Sequence, residues 1–205
     1  MVVGVFIKCH FSFHGIINNS TTISNVSLTD KITSVKTIMS QVITTHNSFG
    51  QAVFSSKVPE RQHESPLPFG GMRIIYSSDS VPANLSSEAD IDQYSQIRTT
   101  GLPGGAICPP GGTAAAIVSM RPGAQSPMHR TVTMDWAVIL EGEVDLILDG
   151  GETRRLRTGD SVVMRGTMHQ WVNRSVGEGW VRMVAFAQDI VPVEIGGKVL
   201  ETEFR

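Results

Sequence analysis

Gly123-Ala-Gln-Ser-Pro-Met-His129-Arg-Thr131-Val-Thr-Met-Asp135-Trp-Ala-Val-Ile-Leu-Glu-Gly142 is the stretch whose reading decides the fold. A glycine turn precedes His129, an acid follows it, and a second glycine comes seven residues after that acid. Downstream lies a partner stretch, Gly159-Asp-Ser-Val-Val-Met-Arg165-Gly-Thr-Met-His169-Gln-Trp171-Val-Asn173, in which a histidine and an asparagine stand four apart. Around both stretches run short strand-like segments at close, even spacing: 114–120, 136–140, 144–149, 153–156, 161–164, 170–173 and 180–187. Turn chemistry separates them at Pro122-Gly123, Glu141-Gly142, Asp149-Gly150-Gly151, Thr158-Gly159-Asp160 and 177–179. Asp-Gly between two alternating strands is the strongest short-range hairpin signal that a sequence carries. No segment here has the length or the 3.6-residue period of a long helix. This half of the chain reads as all-β, and a barrel or jelly roll is the economical way to hide so many strand edges.

The two stretches, in this order and at this separation, resemble the paired motifs of the cupin family. That resemblance implies a single cupin β-barrel or jelly roll over 114–190, with opposed strands bringing the motif residues together inside. It also implies one divalent metal, such as iron, manganese or zinc, held by three His and one Glu. Three positions depart from the family pattern: Thr131 stands where the second His would be, Asp135 where the Glu would be, and Arg165 where a Pro is usual. Only His129 and His169 carry over as unaltered ligands. The string from Ser126 to Trp136, followed by Leu140-Glu-Gly-Glu-Val144 and by Arg165-Gly-Thr-Met-His169-Gln-Trp171, is similar to a narrower group. These are fungal single-domain cupins of polyketide gene clusters, including cupin-domain oxidoreductases of salicylaldehyde-type pathways such as those to virensol and sordarial. The similarity covers 39–189. It implies a tailoring enzyme, assigned to the oxidoreductases, that acts on a salicylaldehyde-type polyketide or its precursor.

The residues themselves leave three chemistries open. His129, Asp135 and His169 could form an open site of two imidazoles and one carboxylate, which suits ferrous iron or manganese. Without a metal, His129 and Asp135 could act as a base and its orienting carboxylate, giving a dehydratase, isomerase or cyclase. The bland alternative is a pair of hydrogen-bonded histidines in a barrel that binds a small molecule without catalysis. Redox chemistry needs a metal here, because none of these side chains carries electrons and no Gly-x-Gly-x-x-Gly fingerprint for a nicotinamide or flavin occurs. Thr131, Arg165 and Trp171 are the candidate substrate-binding residues. Trp171 lies two residues after His169 and so shares its face of a strand. Arg165 offers a planar fork for a carboxylate or phenolate, or else is a solvated turn residue. Arg130, alternating with His129, is expected on the opposite face in an ion pair. Glu141, Glu143, Arg154, Arg155 and Arg157 flank hairpin turns as solvated charge.

Outward from the barrel the signals weaken. Residues 101–112 are too rich in Gly and Pro for regular structure and read as a loop laid over a sheet. Residues 39–113 read as strands and loops packing on the barrel: a β-like stretch over 41–54, a strand over 72–76, and a short capped helix or acidic loop over 86–94. The strand over 72–76 could add to a neighbour's sheet in a homodimer. Residues 191–205 read as a C-terminal tail. Residues 1–38, rich in Ser, Thr and Asn, read as a leader, a disordered extension or a gene-model extension ahead of Met39. At 205 residues, 40% apolar and 18% charged with a net charge of −2, the chain suits one domain with extensions and lacks the basic surplus that attracts nucleic acid. No apolar run reaches membrane-spanning length. Two cysteines, Cys9 and Cys108, imply no disulfide framework, so the expected setting is cytoplasmic.

Overall fold

In the computed structural model, which describes residues 39–62, 64–102 and 106–205, each of the barrel's expected turns separates two strands. The leader expected over 1–38 lies outside the described residues, as does Cys9. The strands are β1 (Met39–Ser40), β2 (Thr44–His46), β3 (Ala52–Phe54), β4 (Arg61–Gln62), β5 (Ser65–Leu67) and β6 (Gly70–Ser78). The helix α1 (Ala89–Thr100) follows. Then come β7 (Thr113–Met120), β8 (His129–Arg130), β9 (Thr133–Glu141), β10 (Glu143–Leu148), β11 (Thr153–Arg157), β12 (Ser161–Arg165), β13 (His169–Asn173) and β14 (Val181–Asp189). Three short strands, β15 (Glu194–Ile195), β16 (Lys198–Val199) and β17 (Glu203–Phe204), complete the chain.

Two antiparallel sheets make the barrel. One has the order β11-β10-β13-β8-β17 and the other β12-β9-β14-β7-β6-β5. Period-two patterning decides which side chains fill the space between them. On β9, Thr133, Asp135, Ala137 and Ile139 are buried while Trp136 and Leu140 are exposed. The core draws on both sheets, with Met120, Ala137, Ile139, Met164, Val181 and Met183 from one and Val144, Leu146 and Trp171 from the other. The tight β9–β10 turn rests on Gly142, whose φ of +83° suits glycine. A Cβ there would stand 2.5 Å from both the Ser175 hydroxyl oxygen and the Trp180 carbonyl oxygen. Asn173, the asparagine of the second motif, is structural. Its amide donates to the carbonyls of Met120, Arg121 and Gly179, and its Oδ1 accepts from the Ser175 amide at 2.8 Å.

Several expectations are refined. The barrel takes strands upstream of 114, since β5 and β6 extend the larger sheet beyond β7. The helix begins at Ala89 and runs to Thr100, and Ser86 belongs to a preceding 3-10 turn with no side-chain cap bond at the helix start. What holds the helix is burial of Ile91, Tyr94 and Ile97, spaced to share one face, with Tyr94 and Ile97 packed against Ile74 and Tyr76 of β6. Beyond its pairing with β5, β6 takes side-chain bonds from the N-terminal segment. The Ile75 carbonyl accepts from the Gln41 side chain, and the Ile74 carbonyl accepts from Gln62. Residues 191–205, read as a tail, supply a small hairpin of β15 and β16 and an edge strand, β17, of the smaller sheet. The turn charges on that sheet are paired: Asp145 accepts from Arg155 and Arg174, which hold its carboxyl below the usual range. Cys108 is free and buried, and burial pushes its thiol up to about 11. Among the described residues no helix is long and apolar enough to cross a membrane.

Candidate functional site

A cavity of about 250 Å³ opens between the sheets. Most of its wall is aliphatic, contributed by alternate residues of β7 and β14 such as Ala116, Val118, Met183 and Ala185. Its polar groups come from the two motif stretches: Ser126, His129, Thr131, Asp135 and His169. Among the described residues that line it, none is Lys or Arg.

The antiparallel ladder between β8 and β13 sets His129 directly opposite His169. Their rings lie 4.3 Å apart between centroids, tilted by 51°. Each ring is fixed in the same way by the carbonyl two residues before it. Nδ1 of His129 lies 2.9 Å from the Pro127 carbonyl, and Nδ1 of His169 lies 2.9 Å from the Thr167 carbonyl. A carbonyl only accepts, so in the neutral rings Nδ1 carries the hydrogen and Nε2 keeps its lone pair. Burial pushes the His169 pKa down to about 4, assisted by the neighbouring His129. His169 is therefore neutral at pH 7. Trp171, two residues further along β13, stands edge-on to His169 at 5.8 Å.

Asp135 is buried in the opposite sheet. The Thr133 hydroxyl lies 3.1 Å from its Oδ2 and donates to it, and the hydroxyls of Thr131 and Thr133 are 2.7 Å apart. When Asp135 is ionised, the Thr133 proton is committed to the carboxylate, so Thr131 donates to Thr133. Oδ1 of Asp135 is buried without a hydrogen-bond partner. Burial pushes the carboxyl up to about 6, against the opposing effect of the Thr133 bond.

The structure thus brings His129, Thr131, Asp135, His169 and Trp171 to one cavity, and it leaves Arg165 out. Arg165 ends β12 with an exposed side chain, because Met164 takes the inward position beside it. It does not line the cavity, so the expected planar fork for a substrate anion is missing there. Nor do His129, Asp135 and His169 meet as a ligand set. Among the described residues no group of three or more His, Cys, Asp or Glu is placed to hold a metal ion. The position that could have completed one is Thr131, a neutral hydroxyl already engaged with Thr133. Two imidazoles alone fall short of the three protein ligands of a catalytic zinc site or of a two-histidine, one-carboxylate site.

Three further residues line or support the cavity. Thr133 follows the odd-numbered register 129, 131, 133, 135, so alternation alone could have found it. Ser126 has a weaker signal. Its hydroxyl accepts from the Trp171 amide at 3.0 Å and its carbonyl accepts from the Gln170 side chain at 2.8 Å, which fixes the loop ahead of His129. Phe204 lines the cavity from the C-terminal strand, stacked on His129, and nothing in its local sequence marks it.

Comparison with known proteins bears on the same region. The cupin domain family matches residues 116–184. The chain is 42% identical over 161 residues to phomopsin biosynthesis cluster protein C' of Diaporthe leptostromiformis, covering 77% of this chain and 82% of that protein. It is 37% identical over 159 residues to oryzines biosynthesis cluster protein J of Aspergillus oryzae, covering 77% and 87%. It is also 35% identical over 161 residues to a cupin-domain-containing oxidoreductase, srdB, of Neurospora crassa, covering 78% of each.

Proposed function

The chain belongs to the cupin-domain proteins of fungal biosynthesis clusters, and from that premise we propose that it is a tailoring enzyme moving protons on a small uncharged intermediate. The observation that carries this reading is Asp135 Oδ1, an ionisable oxygen left without a partner at an apolar cavity that two histidines also line. An orphaned buried carboxylate is costly unless a ligand completes it. With its pKa raised to about 6, Asp135 is mostly ionised at pH 7 yet close enough to neutrality to take up and release a proton, which suits a general base. The two Nε2 lone pairs are hydrogen-bond acceptors and match a substrate hydroxyl, such as a phenol or an enol. The substrate is uncharged, because among the described residues that line the wall there is no Lys or Arg to neutralise a carboxylate or phosphate.

The reaction is then an enolisation, dehydration or aromatising isomerisation. Asp135 takes a proton from a substrate carbon on its carboxylate and returns it to the carbon or leaving hydroxyl that completes the rearrangement, while His129 and His169 accept from a substrate hydroxyl and Trp171 supplies an apolar wall. A salicylaldehyde-type aromatic polyketide, or its reduced precursor, has the size, neutrality and hydroxyl that this cavity accepts. An oxidoreductase is the second reading, supported by the names of relatives such as srdB.

One experiment separates them. The chain is purified without added metal, assayed for metal content, and supplied to the polyketide synthase of its cluster with and without chelator. Proton transfer predicts product formation untouched by chelator and reduced by about 10²–10⁴-fold in Asp135→Asn. Stoichiometric metal with activity abolished by chelator would overturn it in favour of the oxidoreductase.

A further inference from the structure

The C-terminal residues return to the site and are fastened there. β17 pairs with β8, setting Glu203 opposite Arg130 and Phe204 opposite His129. The Arg205 amide donates to the Met128 carbonyl at 2.8 Å. Arg130, on the reverse face of β8 from His129, acts as the latch. Its Nε donates to the Glu201 carbonyl at 2.8 Å and its guanidinium meets Glu203 Oε2 at 3.0 Å. The Arg130 side chain is only 11% exposed while that of Glu203 is 38% exposed, so the pair is shielded from the arginine side only.

Phe204 lies parallel to His129, with 4° between the ring planes and 5.7 Å between centroids. It lines the cavity, yet 57% of its own surface is exposed. An aromatic ring that both lines a cavity and faces solvent stands at its mouth. The same ring also lines a neighbouring cavity of about 280 Å³, together with Ala106, Thr131, Asp189 and Thr202. Phe204 is therefore part of the partition between two spaces, each about large enough for a ring or two.

We propose that Phe204 is the specificity-determining residue of this site: its ring limits the width of the substrate beside His129, and Arg130 holds it in place through the C-terminal strand. The inference rests on the cavity being the substrate site, as argued above, but not on the reaction performed there. Truncating the ring joins the two cavities and admits a wider aromatic system. Loosening the latch does the same without altering any residue that lines the main cavity.

The test uses the full chain and two neutral probes, phenol and 2-naphthol, with affinities measured by titration calorimetry. In Phe204→Ala the preference for 2-naphthol over phenol rises by about tenfold relative to the unaltered chain, the scale on which small volume changes in apolar pockets discriminate. Phe204→Leu, which keeps an apolar side chain on the strand, gives a smaller rise, and Arg130→Ala shifts the ratio in the same direction. An unchanged ratio in Phe204→Ala and Phe204→Leu overturns the proposal, as does failure of the unaltered chain to bind either probe. Asp135→Asn distinguishes this proposal from the proton-transfer reading. If that variant keeps full activity, the reaction assignment falls, and a shifted ratio in Phe204→Ala still supports the gate.

Discussion

Asp135 and His169 are titrating groups held on opposite sides of their ordinary values by the same cause, burial. Asp135 rises from 3.8 to about 6, so folding favours its neutral form. Its contribution to stability is full below about pH 3.8 and is lost as the pH rises through about 6. His169 falls from 6.5 to about 4, so its contribution is full above about pH 6.5 and is lost as the pH falls through about 4. Asp135→Asn, which cannot ionise, should therefore gain on the unaltered chain between pH 4 and pH 7, by on the order of 2 kcal/mol. Urea denaturation across that range checks it, and a pH-independent difference would show that the carboxyl is not desolvated. His169→Gln should show the mirror image, with its disadvantage shrinking as the solution is acidified from pH 6.5 to pH 4. Asn173 makes a different residue-scale prediction. Replacing it with Ala removes the donor to the Met120, Arg121 and Gly179 carbonyls and the acceptor of the Ser175 amide, and should cost about 2–4 kcal/mol in the same measurement.

Elements act here through register. The β8–β13 ladder puts His129 and His169 face to face, and a one-residue slip would turn either histidine away from the cavity. The β9–β10 hairpin that anchors the register depends on Gly142. Gly142→Ala should destabilise the chain by about 2–4 kcal/mol, since the new methyl meets both a positive φ and the Trp180 carbonyl oxygen. Gly150→Ala, at a turn position with open space around it, should cost less than about 1 kcal/mol. Equal effects at the two glycines in chemical denaturation would contradict the close packing at the first turn. The hairpins were legible because Asp-Gly and Glu-Gly turns are local chemistry. The helix limits were not, because α1 is fixed by Tyr94 and Ile97 packing on β6 rather than by a cap residue.

At the scale of the whole molecule, Tyr94 ties the N-terminal strands to the barrel. Its hydroxyl lies 2.7 Å from Gln41 Oε1 and 2.9 Å from the Ile74 carbonyl, and accepts from Gln62 at 3.3 Å. Tyr94→Phe should lower unfolding free energy by about 1–3 kcal/mol, with an unchanged denaturant slope if the segment unfolds together with the barrel. A reduced slope would mean that the segment detaches first. The sequence by itself determined the all-β class and the positions of most barrel strands along the chain, while its resemblance to the cupin motifs implied the convergence of the motif residues, His129, Thr131, Asp135 and His169. Turn chemistry and period-two alternation are properties of adjacent residues, so they can be read without knowing what packs where. Only the tertiary structure decided that Arg165 points away, that Asp135 pairs with Thr133 rather than joining the histidines, and that Phe204 closes the mouth from the far end of the chain. Those outcomes depend on side-chain reach and on contacts between residues far apart in sequence, and such contacts leave no local trace.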